Sequence, residues 1–364
     1  MADSDSAENY QPSMAAPPDG TTPLPLLISA TYDYLANSPL VSQIAFSTDQ
    51  TLKMTTSKQY DFLDRLTRIA SVLALGGSLA SAHAYQYDLL DQRRVRTDAD
   101  GSFWSYVYDD SGQVTSGKRS WSDSKPVAGQ QFEYTFDQIG NRRESKAGGN
   151  AFGAGLLTTD YTVNTLNQLL CRSGPGALYV LGEATNASAS VLVNDQIPDR
   201  HGQYYAAQVP VNNSTDPVWA SLTNIALVPT ANGGELVTKV IGNIAVPPRQ
   251  SCYQYDADGN LIADDRWTYT WDAENRLIAM ESLGPAPVGS QRRLTFEYDW
   301  QGRRVRLGDS ASVMNVWTIT RSNSFLYDGW NLLAEFNATN NTLIRSYRSG
   351  RLESVGTRLP KWYD

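Results

Sequence analysis

Carboxylates are the most numerous groups with catalytic capacity in this 364-residue chain, which has 38 Asp and Glu against 30 Lys and Arg and a formal net charge of −8. Two carboxylates facing each other across a cleft can hydrolyse a glycosidic bond, one as acid and the other as base or nucleophile. Asp109-Asp110, Asp264-Asp265 and Glu133 qualify by residue type. Each lies in or beside a hairpin pattern, and no spacing sets two of them opposite each other. The stretch DADG, Asp256 to Gly259, has a faint likeness to a calcium loop. Its glycine falls too early and no glutamate stands at the twelfth position, so a tight turn is the better reading. His83 and His201 have no nucleophile or metal partner near them and read as structural. Cys171 and Cys252 are too few and too far apart for a zinc site. Phosphate loops and nucleophile elbows are absent. The expectation is a chain without catalytic residue, cofactor or metal.

The elements that hold these residues explain them better than chemistry does. Hydrophobic residues make up 41% of the chain, enough for a sizeable core, and Tyr (20) outnumbers Phe (9). Tyr and Trp suit half-buried sheet faces, where the ring packs and the polar tip finds a partner. Arginines come in pairs (Arg93-Arg94, Arg142-Arg143, Arg292-Arg293, Arg303-Arg304) after turns and read as cross-strand or solvated charge. There is no Lys/Arg block, so nucleic acid is not an expected partner. The apolar run from Ile69 to Ala82 is too short for a bilayer and reads as two strands and their connection. Residues 1–30 are acidic and Pro-rich, without the charged and apolar regions of a signal peptide, and read as a disordered leader.

One unit recurs. An aromatic-Asp pair stands at Tyr32-Asp33, Tyr60-Asp61, Tyr87-Asp88, Tyr108-Asp109, Phe136-Asp137, Tyr255-Asp256, Trp271-Asp272, Tyr298-Asp299 and Tyr327-Asp328, with a degenerate copy, YTVNTLNQLL, from Tyr161. Alternation before the Asp places the aromatics on one side of a strand. The Asp closes the strand and accepts hydrogen bonds from turn amides. A glycine such as Gly112, Gly140, Gly259 or Gly302 takes a positive φ, then Asn or Arg and an apolar pair begin the return strand. Each copy is thus a β-hairpin that cannot stand alone, and stacked copies bury one another's rings. The stretch from Asp61, DFLDRLTRIASVLAL, has some helical spacing, but the hairpin signature within it favours strand.

The rhythm breaks between Gly176 and Gln250, where charge thins out and short alternating segments are separated by Asn-rich turns. This reads as a small antiparallel β-sandwich inserted into the array, with Tyr204, Tyr205 and Trp219 as binding surface or core. Cys171 and Cys252 flank the insert. If it replaces a hairpin loop, the two thiols face each other and a disulfide is one reading; two buried free thiols are the other.

The unit YDADGNLI…YTWDAENRLIAM resembles the RHS/YD repeat of bacterial rearrangement-hotspot and wall-associated proteins, Tc-toxin cocoon subunits and teneurins. The match covers roughly residues 31–175 and 251–347, and the insert is similar to Ig-like or glucodextranase-like modules. The resemblance implies an all-β strip of stacked antiparallel hairpins, part of a shell that encloses or presents a C-terminal effector of a secreted or cell-surface protein. After TLIRSYRSG the family's associated core is not found, so residues 348–364 read as an irregular tail and the chain as a truncated, non-enzymatic scaffold. Expected partners are the rest of a larger RHS protein or its effector, and a second copy through open sheet edges. Surface glycans are the rival expectation, with Trp104, Trp121, Trp267, Trp271, Trp317 and Trp330 as the rings to test; a hydrolase or toxin housing is a further rival.

Overall fold

The computed structural model describes residues 28–347 apart from 187, 231, 284–285, 287–289 and 314–315. The expected tail, residues 348–364, and most of the expected leader lie outside the described residues. The expected leader extends three residues too far: strand Ile28–Tyr34 includes residues 28–30 and pairs with Val41–Thr48. Its alternating sequence ISATYDY outweighs the polar composition before it.

The chain is all-β and open-sheeted, and the described residues contain no helix. It divides into two compact units. The first contains the residues up to Thr158 together with Leu181–Glu183 and Asp199–Ala206. Here ten strands, from Ile28–Tyr34 to Arg142–Gly148, pair antiparallel, each with the next in sequence. The stretch with helical spacing folds as the turn after Tyr60 and strand Leu66–Leu73, and the apolar run from Ile69 joins that strand to Leu79–Tyr87.

The second unit contains Thr159–Val180, Ala184–Pro198 and the residues from Ala207 onward. Nine strands from Gln254–Tyr255 to Leu343–Ser346 again pair in sequence order. Leu169–Ser173 pairs with Gln250–Cys252, a strand that begins at the last residue of the 176–250 segment. Within that segment, Ser190–Val193, Val218–Pro229 and Glu235–Val246 form a three-stranded sheet. Asp199–His201 and Tyr204–Ala206 pair as a short hairpin in the first unit. Segment 176–250 therefore supplies residues to both units.

Among the described residues, the largest fully buried side chains are small: Val127 and Ser102 in the first unit, Val193, Ser251 and Asn323 in the second. Most strand residues are half-buried, so ladder hydrogen bonds and cross-strand pairs bear much of the stability.

Candidate functional site

Most copies of the recurring Tyr-Asp unit share one geometry. In the copy at Tyr60, Asp61 Oδ1 accepts the amides of Leu63 and Arg65, both at 3.0 Å. The same two bonds form at Asp88, Asp109, Asp137, Asp256, Asp272 and Asp299, and at Asn164 of the degenerate copy. An amide oxygen serves as well as a carboxylate because the bond needs only an acceptor. Three residues after the acidic position the backbone turns left-handed. Glycine fills this position at Gly112, Gly140, Gly259 and Gly302, with φ of 78–89°. Asp64, Asp91, Asn167 and Asn275 fill it elsewhere, and these two residue types tolerate that region best after glycine. The ladder shifts register at the aromatic residue, which then faces the residue six positions on, as in Tyr60 with Leu66 and Tyr298 with Arg304. This is a type I turn closed by a bulge.

Two copies depart from this pattern. At Tyr327-Asp328 the turn has only two residues, Gly329 (φ 54°) and Trp330, so Tyr327 faces Leu332. Tyr32-Asp33 closes no such turn: Tyr34 pairs with Val41 across a longer connection, and the Asp33 carboxylate accepts from Gln43 Nε2.

In most copies the aromatic residue joins the copy to the one before it. Tyr87 Oη donates to the Leu66 carbonyl (2.8 Å), Tyr108 to Arg93 (2.8 Å), Tyr298 to Leu277 (2.8 Å) and Tyr327 to Arg304 (3.0 Å). Each acceptor is the residue that faces the aromatic of the preceding copy. Trp271 makes the same bond through its indole, to Leu261 at 2.7 Å. Phe136 has no polar tip and cannot. Arginine adds a second link. Arg65 Nε donates to Asp61 (2.7 Å) while its guanidinium lies 5.0 Å from the Tyr87 ring centroid and Nη1 reaches the Asp88 carbonyl. Arg276 repeats this over Tyr298, and Arg303 does so over Tyr327 except that its Nη1 donates to the Gly329 carbonyl. Ring-on-ring burial was the expectation. Several of the repeat rings meet a guanidinium instead, while Trp104 does stack near Tyr106 and Phe132.

In five copies the turn bonds favour the charged carboxylate. The Asn141 and Asn260 side chains hold Asp137 and Asp256 below the usual carboxylate range, and the Arg276 amide and side chain do so for Asp272. For Asp61 and Asp299 burial pushes upward, but the bonds from Arg65 and Arg303 outweigh it.

Most of the residues weighed for chemistry are engaged locally. Glu133 pairs with Lys118 (2.5 Å), Asp265 accepts from the Ser251 hydroxyl and Asp264 from Tyr269. Burial, followed by that bond to Asp264, pushes the Tyr269 phenol up. His83 Nδ1 sits 2.8 Å from Asp98. Asp256 spends both carboxylate oxygens within its own turn. Cys171 and Cys252 are direct cross-strand partners and their sulfurs are bonded. Among the described residues, no group of three or more His, Cys, Asp or Glu could hold a metal.

One recess of about 190 Å³ occurs within the first unit. Trp121 stacks on His201 with ring centroids 4.2 Å apart and meets Tyr204 edge-on at 5.4 Å. Tyr204 Oη donates to the Ala128 carbonyl (2.7 Å), and Asp199 accepts the Ala151 amide (3.1 Å). Lys125, Arg200 and Pro126 complete the wall. Trp121 was a candidate ring and Tyr204 a candidate surface residue, but the charged residues beside them carried no signal in sequence. Of the other candidate rings, Trp267 lies under Arg266, Trp317 is half-buried in its strand and Trp330 stands 73% exposed at a turn. Tyr205 fits against Gly182, and Trp219 is at the margin of exposure.

No family model matches this sequence. A segment of 98 residues, 26% of the chain, is 35% identical to the tRNA nuclease WapA of Bacillus subtilis strain 168, and a similar segment is 34% identical to the tRNA3(Ser)-specific nuclease WapA of Bacillus spizizenii. The chain spans about 4% of the length of these curated relatives. Among solved structures, a TcdB2-TccC3-Cdc42 complex aligns with 87% of this chain and 15% of its own, at 12% identity and a TM-score of 0.38. A porin-like protein from Bacteroides uniformis aligns with 81% of this chain and 94% of its own at a TM-score of 0.22. The chain is thus similar in sequence, over about a quarter of its length, to the WapA proteins.

Proposed function

We propose that the chain is a non-enzymatic RHS/YD-repeat scaffold segment of a larger secreted or cell-surface protein, with residues 176–250 as an Ig-like module. In that protein it forms part of a β shell that encloses or presents a C-terminal effector. The observation that supports this best is the use made of the repeat residues. Asp ties its own turn and Tyr ties the previous copy, so the motif is spent on continuity of the sheet. The sequence likeness to WapA, a tRNA nuclease, agrees with a toxin-bearing setting. An antibody to this chain, used on intact source cells and on their fractions, tests the reading. A surface-accessible polypeptide much larger than 40.1 kDa is expected, together with no cleavage of tRNA by the purified chain. A product confined to the cytoplasm, or tRNA cleavage, refutes it.

A second reading, glycan binding, is favoured by the recess at Trp121, where aromatic rings adjoin Asp199 and Arg200. Sugar sites combine such rings with a few polar groups. A glycan array probed with the parent chain and with Trp121→Phe checks it. Selective signal lost in the variant supports the reading, and an empty array ends it.

A further inference from the structure

Among the described residues, the sheet of Ser190–Val193, Val218–Pro229 and Glu235–Val246 ends on a strand with a neighbour on one side only. That strand, ELVTKVIGNIAV, is twelve residues long and exposed over nearly all of its length. Leu236, Val237, Val240, Ile241 and Ile244 are 45–62% exposed, and its only charges are Glu235 and Lys239. Edge strands are ordinarily blunted by shortness, proline, bulges or clustered charge. This one pairs without a bulge from Pro229–Glu235 to Val218–Val246 and has none of those protections.

The hairpin turn fixes which backbone groups are free. The Thr230 amide donates to the Gly234 carbonyl (2.8 Å), so the next pair, Pro229 with Glu235, is a non-hydrogen-bonded one. Pro229 has no N–H to give, which agrees. Alternation then directs the N–H and C=O of Glu235, Val237, Lys239, Ile241, Asn243 and Ala245 away from their neighbour, toward the open edge.

We propose that this edge is occupied by the same strand of a second copy, antiparallel, with the two-fold axis at Thr238. The strand's own sequence selects this occupant. With Thr238 facing its counterpart, Glu235 lies opposite Ile241 and Val237 opposite Lys239 of the second copy. These pairs supply about eight hydrogen bonds between chains. Each Lys239 then sits diagonal to the other chain's Glu235, so the only two charges answer each other. Leu236 faces Val240 on the opposite side of the ribbon, and the two Thr238 hydroxyls meet. This pairing stands apart from the scaffold reading and concerns only the 176–250 segment.

Sedimentation of the full chain over a wide concentration range tests it. A reversible dimer is expected. Ile241→Pro removes an outward N–H and leaves the bonds to Val218–Pro229 intact, as proline on an edge strand permits. It should raise the dimer dissociation constant by about tenfold or more, since at least two interchain bonds go. Far-UV dichroism unchanged from the parent shows that the variant is folded. If it is not, Ile241→Glu, which sets a like charge directly opposite Glu235 of the second copy, makes the same test without touching the backbone. Thr238→Cys should crosslink the dimer under mild oxidation, and Asn243→Cys should not. A monomer at every concentration, a dimer indifferent to both Ile241 variants, or crosslinking through position 243 in place of 238 would each overturn the proposal.

Discussion

The hydroxyl bonds between repeats can be removed without disturbing anything else. Tyr60, Tyr87 and Tyr108 in the first unit donate to the carbonyls of Val41, Leu66 and Arg93 at 3.0, 2.8 and 2.8 Å. Replacing all three with Phe keeps the rings, the arginine contact over Tyr87 and the turns below them. A neutral hydrogen bond contributes a net of about 1 kcal/mol, within a range of roughly 0.5–1.5. The three sites share no partner, so their effects should add to about 3 kcal/mol. For a unit of this size that lowers the melting temperature by roughly 6–12 °C. Calorimetry and urea titration read the change, with Tyr34→Phe as control on a ring that is 55% exposed. A triple variant that melts with the parent, or a control that loses as much as one of the three, would show that the hydroxyls do not hold the copies together.

Other consequences can be checked in the same preparations. Cys171 and Cys252 are 81 residues apart, and the loop-entropy relation gives about 4.5 kcal/mol for a closed loop of that length; Cys252→Ser should lower the urea midpoint of the second unit, and reductant should do nothing further to that variant. The repeat acids Asp61, Asp137, Asp256, Asp272 and Asp299 have folded pKa values below their unfolded ones. Their contribution is therefore complete above the unfolded value of about 3.9 and is lost as pH falls through the folded values. Melting temperature followed against pH should decline below about 4, and less steeply in Asp299→Asn, which keeps the turn acceptor but gives up the charge. Gly129→Ala forces a side chain into a backbone at φ 78° whose Cβ would collide with Leu181; it should destabilise the first unit by about 1–3 kcal/mol by thermal melting.

What could be read from sequence was what is settled locally. An Asp that bonds amides two and four residues on leaves a local signature, so the turns at Asp109, Asp256 and Asp299 were legible as turns. Where glycine marked the left-handed residue the reading was complete. At Asp64 and Asn275 the same geometry is written in residues that also belong anywhere on a surface. Tyr32-Asp33 shows the converse, since the motif is present and the turn is not, because the chain runs on to Val41 before it returns. The links from Tyr to the previous copy could not be read at all. Tyr87 and Leu66 are 21 residues apart, and their meeting depends on the register of two ladders. The recess was hidden for the same reason, since Trp121 and Tyr204 come from distant parts of the chain.

The 176–250 segment breaks the repeat in sequence but not in bonding. The copies just before it are the two that lack a polar tip, with Phe136 and then Val163 at the aromatic position. Leu169 is the residue six beyond Val163, and its carbonyl accepts from Tyr255 Oη at 3.0 Å across 86 residues of chain. This is the same bond that Tyr87 makes to Leu66, so within the second unit the Tyr255 copy follows the Val163 copy as if nothing lay between them. The ladder agrees: Cys171, Arg172 and Ser173 pair with Cys252, Ser251 and Gln250. The segment is thus a very long hairpin loop, and the disulfide fastens its base. Because Ser173 and Gln250 already face each other, residues 174–249 could be exchanged for a two-residue Asn-Gly turn, whose twist suits an antiparallel pair. The shortened chain should still join Cys171 to Cys252, so thiol titration of the denatured, unreduced protein should find no free thiol. Two free thiols would mean that the segment sets the register, and that the Tyr255 hydroxyl bond follows from it.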